Sequence, residues 1–323
     1  MTVAASCESL VAAAAHSLHD PEGRHLASQV RWWSLPGLPT PPQLRWPVVV
    51  TGNGPPVLLL HGFDSSFLEF RRLVPLLAAT HTLVIPDLFG FGFTPRPAHA
   101  PFGPAGVLAH LEALLDTMPL QLGLSPSAPT LSRGIGVIGA SMGGAVAMEL
   151  ARRRPGQVSR LLLLDPAGLT GRPLPLPAPL ANLGVRFLAL PWVRRGLCRS
   201  AFADPAASVG PAELEIASLH LRAPGWADAL ASFARSGGFA GLGLPLPPQP
   251  IQVLWGEQDR VLGAHDRRAV AALFPDPLVA VPRCGHLPHL DQPKLVRDHW
   301  CDPAPSLASG PTSPPPPSHV PTP

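Results

Sequence analysis

The chain has 323 residues, a formal net charge of +3 and only 14% charged side chains, with a mean hydropathy of +0.21. That length suits one large core plus an insertion, and no stretch reaches the roughly 18 uninterrupted apolar residues of a membrane-spanning helix. Arginines come in pairs and triplets, Lys294 is the only lysine, and no basic stripe interleaves with aromatics, so nucleic acid is not an expected partner. Cys7, Cys198, Cys284 and Cys301 lack metal-ligand or disulfide spacing and are expected as free thiols. With no basic leader at the N-terminus, a cytoplasmic location is the default expectation.

In chain order, Leu10, Val11, Ala14 and Leu18 predict an amphipathic helix ending near Asp20-Pro21, followed by a connector rich in tryptophan and proline up to residue 44. A strand is predicted over 45–51, closed by Gly52-Asn53-Gly54. Apolar strands at 57–60 and 83–85 then alternate with helices at 68–78 and 107–115. Further strands are predicted at 135–138, 161–164, 251–255 and 278–281. Continuous apolar strands separated by helices imply an α/β protein whose mostly parallel sheet is covered on both faces. The alternation stops over 170–244, a segment rich in leucine and proline with helical patches at 183–190, 212–221 and 226–234. It is read as a helical cap inserted into a core formed by 45–169 and 245–302. The Pro-, Ser- and Thr-rich tail 303–323 is expected to be disordered.

Gly139-Ala140-Ser141-Met142-Gly143-Gly144 stands between a short apolar strand and a helix that runs to Pro155. A strand that turns straight into a helix needs very small neighbours, and the glycines provide them. Ser141 would then sit on a strained turn with its hydroxyl exposed at a helix N-terminus. A serine hydroxyl needs a base, and His286, in Cys284-Gly285-His286 just past the last predicted strand, is best placed to act as one. His289 is its rival, while His61 is read as structural. Asp259, after the strand at 251–255, is expected to fix the histidine tautomer. Asp165 and Glu257 are the alternative acids. The developing oxyanion needs backbone donors, assigned to the Phe63 N–H in His61-Gly62-Phe63-Asp64 and the Met142 N–H. Asp64 is expected to turn away and cap the segment 65–70.

These motifs resemble the α/β-hydrolase superfamily, and in particular its cap-bearing serine hydrolases. The HG loop is His61-Gly62, the D-x-x-G-x-G segment is Asp87 to Gly92, the elbow is Gly139 to Gly144, and the late G-x-x-D and final G-H are Gly256 to Asp259 and Gly285-His286. The segment 61–77 is also similar to a little-characterised group of photosynthetic bacteria and plastids. The resemblance spans about residues 45–300 and implies the α/β-hydrolase fold, with Asp87 as a structural residue. Haloalkane dehalogenases and epoxide hydrolases carry aspartate where this chain has Ser141.

The expected activity is a serine hydrolase that cleaves an ester-type bond of a largely apolar small molecule or lipid through an acyl-enzyme. It would need no metal and no organic cofactor. Carbon–carbon bond hydrolysis, perhydrolysis or acyl transfer by the same triad are alternatives, and so is a non-catalytic binding protein on this fold. The aromatic residues Phe187, Trp192, Phe202, Trp226, Phe233 and Phe239 are read either as an apolar substrate site or as packing of cap onto core. Peripheral membrane contact through the apolar cap and the N-terminal helix is a further expectation. Oligomeric state is not legible.

Overall fold

The computed structural model describes residues 3–98, 100–125 and 133–302. The tail 303–323 lies outside the described residues. Eight strands form, β1 (Val30–Trp33), β2 (Trp46–Gly52), β3 (Pro56–Leu60), β4 (Thr82–Pro86), β5 (Ile135–Ala140), β6 (Val158–Leu164), β7 (Ile251–Gly256) and β8 (Val279–Val281). They make one sheet in the order β1-β2-β4-β3-β5-β6-β7-β8, with β2 antiparallel to β1 and β4 and the remaining pairs parallel. This is the α/β-hydrolase fold.

Both faces of the sheet are buried, which is why its strands read as unbroken apolar runs. In β3, Leu58 and Leu60 join the core on one face while Val57 and Leu59 join the core on the other. The first face is covered by α4 (Pro104–Gln121) and α5 (Met142–Arg153). The second is covered by α1 (Val3–Ser17), α2 (Pro21–Ser28), a 3₁₀ turn at Phe67–Phe70 and α3 (Val74–Leu77).

Three local differences from the sequence reading have simple causes. The first helix ends at Ser17, just before Asp20, and Asp20 Oδ1 accepts the Gly23 N–H at 2.7 Å and so starts a second helix, α2. The connector is not all irregular, because Val30 to Trp33 pair with Val49 to Trp46 as an edge strand. The single helix predicted over 68–78 is instead a 3₁₀ turn and the short α3. Pro75 lacks the N–H that would continue a helix from Arg71, so the coil restarts there.

Between β6 and β7 lie α6 (Ala178–Leu188), α7 (Pro191–Ala201), α8 (Pro205–Ser208), α9 (Pro211–Leu219), a 3₁₀ turn at His220–Arg222, and α10 (Trp226–Ser236). The sequence patches located α6, α9 and α10; α7 went unseen because its arginines interrupt the apolar period. After β7 the described residues form α11 (Ala264–Ala271), α12 (Pro288–Asp291) and α13 (Pro293–Cys301). Among the described residues no helix is long and apolar enough to cross a membrane. All four cysteines are free thiols.

From β3 the chain moves outward to β4, then returns to place β5 on the other side of β3. Strand order therefore reverses between β3 and β5. In open parallel sheets the crevice at the carboxyl ends of such strands receives the ligand, and here it is flanked by His61 to Asp64 after β3 and by Ser141 after β5.

Candidate active site

Ser141 sits between β5 and α5 with φ 51° and ψ −121°, a conformation that is strained for any residue with a side chain. The glycines around it leave no room for larger residues. A Cβ on Gly143 would fall 2.1 Å from the Leu60 carbonyl oxygen, and one on Gly139 would fall 2.4 Å from the Gly143 oxygen. The elbow is thus clamped against the end of β3, and the α5 N-terminus opens directly beside the Ser141 hydroxyl.

A further close approach brings the other loops in. A Cβ on Gly256 would lie 1.9 Å from the Gly285 oxygen, so the loop after β7 presses directly on the loop that carries His286. His286 Nε2 lies 2.8 Å from Ser141 Oγ, and His286 Nδ1 lies 2.9 Å from Asp259 Oδ2. Asp259 Oδ1 accepts the N–H groups of Val261 at 2.8 Å and Leu262 at 3.0 Å. Burial opposes ionisation of Asp259, but His286 and these two backbone donors outweigh it and hold the carboxyl below its usual range.

Asp165 lies behind this pair. Its Oδ1 accepts the Gly256 N–H at 2.9 Å, while its Oδ2 receives no donor. Burial, then the neighbouring Asp259 charge, pushes its carboxyl well above the usual range. Two neighbouring carboxylates oppose each other's ionisation, and the donors on Asp259 favour the charge there. Glu257 is exposed and its N–H pairs with the Val281 carbonyl.

The other sequence candidates fall elsewhere. His61 is fully buried, with Nε2 accepting the Leu88 N–H at 3.0 Å and Nδ1 placed 2.8 Å from the Gly62 oxygen; burial lowers it to about 4, so it stays neutral. His289 is also buried, with Nε2 making a close but off-axis contact of 3.0 Å to Glu69 Oε1. Asp87 accepts the N–H groups of Phe67 and Phe93, each at 2.6 Å.

Asp64 corrects an expectation. It does not cap the segment 65–70; Asp87 supplies that acceptor through the Phe67 N–H. Asp64 instead turns toward the inserted helices, where Oδ1 accepts from Trp226 Nε1 at 2.8 Å and lies 3.0 Å from His220 Nε2. Its Oδ2 pairs with Arg194 Nη1 at 2.5 Å. Burial works against the charge, yet His220 and Arg194 hold the carboxyl below its usual range. Sequence reading missed Arg194, His220 and Trp226 in this role, because a contact across more than 100 residues leaves no local pattern.

Gly62 brings the β3 loop alongside Ser141, since a Cβ on Gly62 would lie 3.2 Å from Ser141 Cβ. Phe63 follows, its ring 5.9 Å from both Phe91 and Phe233. A cavity of about 260 Å³ opens above Ser141 and His286. Its charged lining residues are largely paired with each other, Asp64 with Arg194 and Glu213 with Arg71. What remains is mainly apolar, including Phe63, Leu188, Leu197, Phe202 and Ile216. Of the six aromatics singled out between β6 and β7, Phe202 faces the cavity, Trp226 bonds Asp64, Phe233 and Phe239 pack inward, and Phe187 and Trp192 face out.

The family model described as alpha/beta hydrolase family matches residues 57–299. The chain belongs to the alpha/beta hydrolase family. This hydrolase is 31% identical over 257 residues to the alpha/beta hydrolase domain-containing protein VTE7 of Arabidopsis thaliana, covering 77% of this chain and 74% of that one. That similarity fits the plastid and photosynthetic resemblance of segment 61–77. Among solved structures, a thermophilic esterase from Thermogutta terrifontis superposes with TM-score 0.62 at 25% identity, over 85% of this chain and 97% of that one. The 2-hydroxy-6-oxo-6-phenylhexa-2,4-dienoate hydrolase of a Rhodococcus strain superposes with TM-score 0.65 at 22% identity, over 84% and 99%. The latter shows the shared fold.

Proposed function

We propose that this hydrolase cleaves carboxylic esters of largely apolar small molecules or lipids through an acyl-enzyme on Ser141. The observation that carries the reading is the continuous line from Asp259 through His286 to Ser141, at 2.9 and 2.8 Å. Ser141 Oγ bonds to the ester carbonyl carbon as its proton passes to His286 Nε2. The negative charge on the carbonyl oxygen is met by the N–H groups of Phe63 and Met142, at the β3 loop and the α5 N-terminus. The carbon–oxygen bond to the alcohol then breaks, and the alcohol leaves with the proton held on His286. Water repeats the two steps on the acyl-enzyme, releasing the acid and restoring Ser141. Asp259, ionised throughout, holds Nδ1 protonated and stabilises the transient imidazolium. No metal and no organic cofactor enter these steps.

The paired charges and apolar remainder of the cavity lining support an apolar acyl or alcohol portion. The test is labelling by a fluorophosphonate probe together with turnover of p-nitrophenyl esters of graded chain length. Ser141→Ala and His286→Ala are expected to abolish both. Labelling that survives in Ser141→Ala, or an absence of ester turnover by the parent chain, would refute the reading. Turnover of a diketone-like substrate in place of esters would assign the same triad to carbon–carbon cleavage.

A further inference from the structure

Helix α6 is apolar on two faces. Ala181 and Val185 are buried, four residues apart, toward α10. Leu180, Leu183 and Phe187 occupy the opposite side at spacings of three and four, and are 55%, 64% and 48% exposed. A surface helix ordinarily turns charged or polar residues outward; α6 offers only Asn182 and Arg186. On α7 the outward stripe is Trp192, Arg195 and Arg199, with Trp192 66% exposed. The two stripes meet, since the Phe187 and Trp192 rings lie edge to face with centroids 5.4 Å apart. Apolar exposure continues before α6 through Leu174 and Leu176. Contiguous apolar surface of this kind marks an interaction site.

Charge identifies the partner. From residue 166 to residue 203 the chain contains no aspartate or glutamate, while Arg172, Arg186, Arg195 and Arg199 are all exposed. A second copy of the chain docking through the same patch would set arginines against arginines. An anionic bilayer satisfies both features, since its headgroups pair with guanidinium groups and its acyl region takes the leucines and aromatics. The N-terminal helix is not part of this surface, because its apolar residues Cys7, Val11, Ala14 and Leu18 are buried against the core. Leu188 and Leu197 link the patch to the interior, as they sit on α6 and α7 and also line the cavity above Ser141.

We propose that the outward faces of α6 and α7, with the preceding segment 171–177, form a docking surface for membranes bearing anionic lipids, and that the cavity mouth opens against the bilayer. Docking is independent of the serine chemistry, and its test reads no hydrolysis, so either can fail without the other. The full chain is mixed with phosphatidylcholine vesicles with and without phosphatidylglycerol and sedimented. Partition onto the anionic vesicles, weakening as salt rises, is expected. Phe187→Ser/Trp192→Ser should reduce it on the order of 100-fold by removing the inserted apolar area. Arg186→Gln/Arg195→Gln should reduce it about 25-fold, at about 5-fold per charge. All four residues are exposed and none lines the cavity, so an unchanged urea-unfolding midpoint serves as the folding control. The proposal is overturned if the parent chain stays in the supernatant or binds neutral vesicles equally well. It is also overturned if both double variants partition like the parent, or if sedimentation shows a dimer that the substitutions dissolve.

Discussion

Asp64 is where the inserted helices grip the loop that carries Phe63, and its removal has a calculable cost. The carboxylate is buried and receives Trp226 Nε1, His220 Nε2 and Arg194 Nη1. Asp64→Ala leaves two buried donors and the part-buried Arg194 guanidinium without their acceptor, and breaking a buried pair in this way costs about 3–5 kcal/mol. Asp64→Asn keeps an acceptor for Trp226 but turns an amide N–H toward Arg194, so its cost falls between that of the alanine variant and zero. Trp226→Phe removes one bond to a charged acceptor, about 1.5–3 kcal/mol. Against a total stability of about 5–15 kcal/mol the first loss is large. Urea denaturation of the three variants gives the ranking Ala, then Phe or Asn, then parent. Asp64 has φ 50°, a conformation the clamp maintains next to Phe63, whose N–H the proposed mechanism uses. The variants should therefore also lower kcat for a soluble ester, at temperatures where they remain folded, more than they raise KM. Parental stability in Asp64→Ala, or a kcat unchanged in all three, would refute the clamp.

Four other outcomes follow from the site and its surroundings. Asp259→Asn should lower kcat on the order of 10⁴-fold through the wrong histidine tautomer. Asp165→Asn should stay near parental activity, because an asparagine can still accept from Gly256 and donate toward Asp259; the reverse result in steady-state kinetics would make Asp165 the acid. His110 is fully buried against Trp46 and Phe89, neither ring nitrogen has a protein partner, and burial lowers it to about 3. His110→Leu should thus stabilise the fold by about 1–3 kcal/mol in urea denaturation, the cost of an unsatisfied buried polar group. Burial alone would raise Glu69, but the nearby His289 outweighs it and brings the carboxyl to about 2, below its ordinary 4.5. A depressed carboxyl stabilises the fold above its unfolded value, so this contribution is intact above pH 4.5 and is lost as pH falls toward 2. Unfolding midpoints measured from about pH 6 to about pH 3 should fall less steeply in Glu69→Gln than in the parent.

The sheet and the meeting of Ser141, His286 and Asp259 were legible because each rests on local pattern. Buried parallel strands are continuous apolar runs, and the elbow needs glycines within two residues of Ser141, a need that the backbone crowding at Gly139 and Gly143 explains atom by atom. His286 and Asp259 were legible for the same reason, since Gly285 and Gly256 precede them where two loops touch. Long-range partners left no such trace. Nothing near Asp64 distinguishes a residue that caps its own turn from one that bonds Trp226, 162 positions away. Trp226 itself reads as one more apolar cap residue, because its indole N–H is invisible to hydrophobic periodicity. Helix α7 was missed for a related reason: Arg194 is drawn inward by Asp64 and the Ala217 carbonyl, against the expectation that arginines mark the solvent face.

The inserted helices contact the loops on both sides of the Asp259–His286–Ser141 line, which bears on how the site is held together. On the β3-loop side they hold Asp64. On the histidine side, the Ala201 carbonyl at the end of α7 accepts the His286 N–H at 2.8 Å, and a Cβ on Gly285 would lie 2.4 Å from that oxygen. At the far edge, α9 is tied down through Glu213 to Arg71 and to Arg72, the latter at 3.1 Å, and Arg71 reaches Asp20 at the start of α2, also at 3.1 Å. A cap that swung away as a rigid lid would break the His286 backbone bond and the Asp64 clamp together, stripping buried charges of their partners. Substrate entry is therefore better served by small movements at the α6–α7 corner, where Leu188 and Leu197 border both the cavity and the outward apolar face. That corner is also the part of the insertion with few charged anchors to the core, apart from Arg194, so entry there leaves the hydroxyl, imidazole and carboxylate in register.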